Sequence, residues 1–278
     1  MSQSDENRCH ILLTNDDGIN ADGLTALEEA LQEHAELTVV APHLERSASS
    51  HAISLQQPIR YEKISERKFA VEGTPVDSVI LALNYLCEVA PDLVIAGINR
   101  GANLGENIFY SGTVAAAFEA VLNRVPAFAI SVASREVYRY DVAAAFAVEL
   151  GLKMLESEVP KGVVLNVNVP EPWRNGVRLT RQSRKITKNY VVESLDPRGR
   201  NCYWLHERVD LARIEPDSDY AAVRAGSISI TPLQIDRTEH NLLRHLAGWV
   251  EELNSFSLAP TPGARPDRRP YGPTRRDS

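Results

Sequence analysis

Two aspartates stand side by side in Asn15-Asp16-Asp17-Gly18. Two carboxylates held close repel each other unless a proton or a cation sits between them. In a regular strand neighbouring side chains point to opposite faces. At a strand end, with Gly18 free to make a sharp turn, both can face one point. The same four residues also read as a turn and helix cap, since Asn, Asp and Gly are turn formers, so taken alone they leave both readings open. Ser47 and Asn99 add only oxygen donors, and hard oxygen donors suit Mg²⁺ or Mn²⁺ rather than structural zinc. His51 follows Ser47 with no second His or Cys at metal spacing, and is expected no nearer an ion than behind its ligands.

Ser111-Gly112-Thr113 precedes an apolar helical stretch. A hydroxyl there caps the helix, and a glycine lets backbone N–H groups approach an anion without any lysine. A plain N-cap is the other reading. The segment GINRGANLG (97–105) is glycine-rich but lacks both the dinucleotide fingerprint and the P-loop lysine. Within it, Asn103 either faces a ligand or stabilises a turn. No GxSxG occurs, no cysteine lies in an electropositive motif, and Ser111 has no evident base as partner. Arg181, Arg184, Lys185 and Lys188 form a basic run that is a solvated face, a guide for an anionic substrate or a subunit contact.

Elements that could bring these groups together follow from periodicity. Residues 9–14 and 37–41 are short apolar runs on either side of a segment with Leu24, Leu27 and Leu31 at helical spacing. Residues 74–87 read as a helix with Pro75 in its first turn. LVIAGI (93–98) reads as a strand buried on both faces, 114–122 as a helix, 127–132 as a strand, 141–156 as a helix and 163–169 as a strand. Strand–helix alternation through the first 170 residues predicts an α/β fold: a Rossmann-like, doubly wound, mostly parallel sheet with an inserted β-hairpin arm. Ligands of such a sheet bind outside the carboxyl ends of its strands. The NDDG, RS, GIN and SGT clusters each follow a strand on that edge, and their convergence is the main signal.

The expected organisation is a metal- and phosphate-binding core over 1–170 and an arm over 171–226. A strand and helix complete the core over 227–258, and a disordered tail of Pro, Gly, Arg and Asp fills 259–278. The net charge is −7, the last nineteen residues carry +3, and the rest is therefore acidic. An acidic body of this kind is a poor non-specific binder of nucleic acid. Three scattered cysteines form no disulfide framework. No apolar run is long enough to span a membrane. The polar start MSQSDENRCH lacks a signal-peptide pattern, so a cytoplasmic protein is expected.

The chain resembles the SurE family of stationary-phase survival proteins, metal-dependent 5′/3′-nucleotidases. The resemblance rests on ILLTNDDGINADGL (11–24), VVAPHLERSASSHAISL (39–55), GTPVDSV (73–79), PDLVIAGINRGANLG (91–105) and YSGTVAAAFEA (110–120). LNVNVP (165–170), DPRG (196–199) and SISITPL (227–233) extend it. It implies metal ligation by Asp16, Asp17, Ser47 and Asn99, and a phosphate pocket formed by Asn103, Ser111, Gly112 and Thr113. It also implies a homodimer or homotetramer built through the arm. The expected reaction is hydrolysis of nucleoside 5′-, and also 3′-, monophosphates by water activated at a divalent ion, with Asp16 and Asp17 catalytic and Asp17 favoured as base. A metal-dependent nucleotide-sugar transferase and a non-catalytic nucleotide-binding module are the alternatives.

Overall fold

A computed structural model describes residues 8–134, 136–157, 160–184, 187–209 and 214–254. Nine strands form one sheet in the order β3-β4-β2-β1-β5-β6-β7-β11-β8. Its centre is β4 (Lys68–Val71), β2 (Glu36–Pro42), β1 (His10–Thr14), β5 (Leu93–Arg100), β6 (Ala127–Ala133) and β7 (Val163–Pro170). These six pair in parallel throughout. Numbered along the chain, the parallel strands run 3-2-1-4-5-6, the Rossmann order, with its crevice between β1 and β5. Antiparallel β3 (Tyr61–Ser65) closes one edge, and β11 (Ile228–Gln234) continues the other, antiparallel to β7. β8 (Val177–Leu179) lies beyond β11 and runs parallel to it.

Alternation along β1 explains why helices cover both faces. Ile11 and Leu13 join one apolar cluster with Leu24, Leu27 and Leu31 of α1 (Asp22–Leu31) and Ala143 and Ala147 of α4 (Asp141–Glu156). Leu12, pointing the other way, joins Val79 of α2 (Pro75–Leu81) and Val114 and Ala117 of α3 (Gly112–Leu122). β1 is buried along its whole length, as a strand of a doubly covered parallel sheet should be. The helix expected over 74–87 starts with Pro75 in its first turn and a capping box between Thr74 and Asp77. It remains α-helical only to Leu81, then widens into a π-helical turn over Ala82–Leu86, with Cys87 N–H donating to Ala82 O.

Two other differences concern short elements. β3 and β4 were not anticipated. β3 is exposed at all five positions and β4 has only four residues, so neither produces a readable alternation. Within 171–226, the separate antiparallel hairpin comprises β9 (Thr187–Leu195) and β10 (Asn201–Val209). β8, in the same stretch, belongs to the main sheet, while the short α5 (Asp219–Arg224) packs on β7 and β11. The last helix, α6 (His240–Leu253), falls in a second unit, residues 237–278. The tail at 259–278 lies outside the described residues. Among the described residues no helix is long and apolar enough to cross a membrane.

Candidate active site at the crevice between β1 and β5

The turn after β1 is tied from within. Asn15 is buried; its Nδ2 donates to Gly18 O at 2.9 Å and its Oδ1 accepts the Gly18 N–H at 3.1 Å. Gly18 supplies the positive φ of 106° that the turn needs. The loop after β2 docks on this turn. Ile19 N–H donates to Pro42 O at 2.8 Å and Arg46 N–H to Asp16 O at 2.7 Å. On the other side of the crevice β5 shifts register between Ala96 and Asn99, and the Arg100 N–H then reaches Asp17 Oδ2 at 2.9 Å.

The third contribution is the start of α3. Ser111 caps it, its Oγ accepting the Val114 N–H at 3.1 Å. Thr113 Oγ1 donates to Asp16 Oδ1 in a short hydrogen bond. Gly112 lies so near that a Cβ there would sit 3.0 Å from Asp16 Oδ2 and 2.6 Å from Ser49 Oγ. Only glycine fits that approach.

Asp17, Ser47 and Arg100 line one cavity of about 750 Å³, together with Glu45, Tyr138 and Tyr140. Ser47 is exposed and its Oγ donates to Glu45 Oε1 at 2.6 Å, leaving lone pairs on the hydroxyl. Asn99, half-buried, donates through Nδ2 to Gly101 O at 2.7 Å. That bond orients the amide with Oδ1 as its acceptor group. The Arg100 guanidinium lies 5.0 Å over the Tyr138 ring.

The charge balance explains what such a site can hold. Burial pushes the Asp16 carboxyl up to about 6, opposed by the Thr113 hydroxyl and reinforced by Asp17. Burial also raises Asp17, opposed by the Arg100 N–H, with the Glu45 charge pushing the same way as burial. A site that crowds carboxylates in low dielectric favours a proton or a cation between them. Among the described residues no three His, Cys, Asp or Glu side chains form a metal cluster. The side-chain oxygens of Asp16, Asp17, Ser47 and Asn99 are hard donors of the kind that suits Mg²⁺ or Mn²⁺, and of the four Asp17 and Ser47 line the cavity.

Not every expected residue faces the acidic pair. The Asn103 side chain donates to Ser131 Oγ at 2.9 Å. Its backbone is clamped by β7: Asn168 Oδ1 accepts its N–H at 2.8 Å, and Asn166 and Asn168 Nδ2 both donate to its carbonyl. His51 Nε2 pairs with Glu119 Oε2 of α3 at 2.9 Å, so it ties the loop after β2 to a helix. Sequence reasoning missed Ser49, whose Oγ is buried without a hydrogen-bond partner beside Gly112. Nothing but the serine-rich run marks it. It also missed the roles of Asn166 and Asn168. Two polar residues two apart in an otherwise apolar strand were the available signal, because they share one face.

Fold and site together define a Rossmann-like α/β protein with paired carboxylates against a helix N-terminus at the topological switch point. Comparison with known proteins agrees. Residues 11–189 match the family model described as "Survival protein SurE". A protein of Geotalea daltonii named "5′-nucleotidase SurE" is 47% identical over 244 residues, covering 86% of this chain and 98% of its own. One of the same name from Geobacter sulfurreducens is 44% identical, covering 86% and 93%. The crystal structure of the SurE protein from Aquifex aeolicus superposes with a TM-score of 0.78 at 36% identity, covering 87% of this chain and 99% of the other. The chain belongs to the SurE family.

Proposed function

We propose that this protein is a divalent-metal-dependent 5′-nucleotidase that hydrolyses nucleoside 5′-monophosphates, and 3′-monophosphates as well, to nucleoside and phosphate. The names of its relatives support the reaction class. The observation that carries it is the direct seating of Asp16 on the first turn of α3, through Thr113 and Gly112. An acidic pair that gathers positive charge thereby adjoins a helix start that favours a phosphate. In this reading Asp16, Asp17, Ser47 and Asn99 hold Mg²⁺ or Mn²⁺. A bound ion of this kind neutralises phosphoryl charge and makes a nearby water more acidic.

The chain's own residues do the rest. Asp17 Oδ2 is fixed by the Arg100 N–H, so Oδ1 is the oxygen left to face the cavity and take a proton from the attacking water. The first N–H groups of α3 and the hydroxyl of Ser111 face the equatorial phosphoryl oxygens. Asn103 braces the glycine loop that borders the pocket. The departing nucleoside oxygen takes a proton from solvent in the open cavity.

The arm suggests how chains associate. A two-stranded hairpin is marginal in isolation, yet β9 and β10 expose Val191, Val192, Tyr203, Trp204 and Leu205. A second copy of the chain covers them in this reading, giving a homodimer or homotetramer.

The test uses full-length protein stripped of metal and given nucleoside 5′- or 3′-monophosphates. Phosphate release should be absent until Mg²⁺ or Mn²⁺ is added. Tight nucleotide binding without turnover in either metal would establish a binding module instead, and phosphate transfer only to an added acceptor would establish a transferase.

A further inference from the structure

At the amino ends of the central strands lies a cavity that the nucleotidase reading does not use. Its volume is about 410 Å³, within the range of sites for small organic ligands. Pro126 and Gly162, which line it, directly precede β6 and β7. The acidic pair stands at the opposite, carboxyl ends of the strands, since Asp16 follows β1. Val121 of α3, Val125 and Val163 give the cavity apolar walls. Arg124 and Lys161 are its charged members. Among the described residues no carboxylate lines it, and neither cation takes part in an ion pair.

Arg124 occupies a backbone position that disfavours it. α3 ends in a hydrogen-bonded cap: Val125 N–H donates to Ala120 O and Arg124 N–H to Val121 O, each at 3.0 Å. In such a cap the residue just past the helix turns left-handed, and glycine usually fills it because a Cβ is strained there. Here Arg124 does so, with a φ of 67°. The cap already engages the Ala120 and Val121 carbonyls, so those two do not require the guanidinium. An arginine where glycine folds more easily points to a use for its side chain.

We infer that this cavity binds a small organic carboxylate, its apolar body against the valines and its head group at Arg124 and Lys161. Two cations with no acid beside them leave positive charge over apolar surface, and an anion with an apolar body complements both. The guanidinium fork matches the two oxygens of a carboxylate. A phosphate fits less well. It brings more oxygens and more charge, and backbone N–H groups usually cradle it. Here the Arg124 and Val125 N–H groups are spent on the cap, and Pro126 and Pro160 have none. The cavity shares no residue with the acidic site, so the inference stands apart from the nucleotidase reading.

The test titrates full-length protein, isotope-labelled at its valine methyls, with hexanoate, hexylphosphonate and neutral hexanol, and follows it by NMR. The three probes share one apolar body and differ in the head group. Hexanoate should shift the methyls of Val121, Val125 and Val163 saturably, and bind about tenfold more tightly than hexanol. Arg124→Gly should weaken hexanoate about tenfold and leave hexanol unchanged. The thermal midpoint of that variant should not fall, because glycine suits the cap. Lys161→Met keeps the apolar stem without the charge, and should weaken hexanoate as well. Hexanol binding as tightly as hexanoate would overturn the inference. So would shifts confined to valines outside the cavity, or unchanged hexanoate binding in either variant. Tighter binding of hexylphosphonate than of hexanoate would overturn the assignment to a carboxylate.

Discussion

Asp16 costs the fold stability in return for its chemistry. Its pKa is pushed from 3.8 to about 6, with burial the largest cause. A carboxyl raised on folding stabilises the native state below its unfolded pKa, and that contribution is lost as pH rises through the folded value. Metal-free protein should therefore lose on the order of 3 kcal/mol between about pH 4 and pH 6 from this residue alone, with Asp17 acting in the same direction. Asp16→Asn removes the ionisation and still accepts from Thr113. Urea unfolding of the metal-free variant should show that pH slope flattened, while phosphate release at neutral pH falls roughly a hundredfold or more. A variant with the wild-type slope would disprove the burial argument. That NDDG, RS and GIN each follow a strand at one sheet edge was readable in the sequence, and the structure places Asp17 and Ser47 in one cavity there. Their hydrogen bonds were not readable. That Thr113 would turn its hydroxyl to Asp16, and Asn103 its amide to Ser131, depends on side-chain rotation that no spacing encodes.

At the scale of elements, the parallel strands β1, β2, β5, β6 and β7 were legible because each is an apolar run of a sheet covered on both faces. α1, α3 and α4 showed through their spacing. The β3–β4 pair and β8 were not legible, being short and, for β3 and β8, exposed. The clamp between the glycine loop and α5 was equally hidden, because it joins Gly105 to Asp219 across more than a hundred residues. Its energetic weight is nevertheless predictable. Asp219 is fully buried and accepts hydrogen bonds from three backbone N–H groups and from Ser183 Oγ. Removing such an acceptor leaves buried donors unpaired, at about 1–3 kcal/mol each where water cannot reach them. Asp219→Ala should lower stability by about 3 kcal/mol or more, measured by urea unfolding. Hydrogen exchange should quicken at Gly105 and Ser183 before it does at β1. Uniform exchange across the sheet would show that the clamp is no separate unit.

For the whole molecule, the hairpin arm is the feature that a single chain leaves unexplained. β9 and β10 pair in register, Trp204 opposite Val192 and Leu205 opposite Val191. Successive residues face opposite sides, so Trp204 with Val192 lies on one face and Leu205 with Val191 on the other. Both faces are open: Trp204 is 60% and Leu205 81% exposed. A ribbon with apolar side chains on both faces has no core of its own, and apolar patches of this kind mark interaction surfaces. If a second copy covers them, wild-type protein should sediment as a multiple of its 30.8 kDa chain mass. A glutamate in place of either residue puts an unpaired charge where desolvation makes it expensive. Trp204→Glu and Leu205→Glu should each shift sedimentation equilibrium toward smaller species, and the face whose variant shifts it further is the one more deeply covered. Core stability of the resulting protomer should hold, since β1, β5 and the α3 start take no part in the hairpin. Wild-type protein that sediments at the mass of one chain would leave the arm without the partner assigned to it.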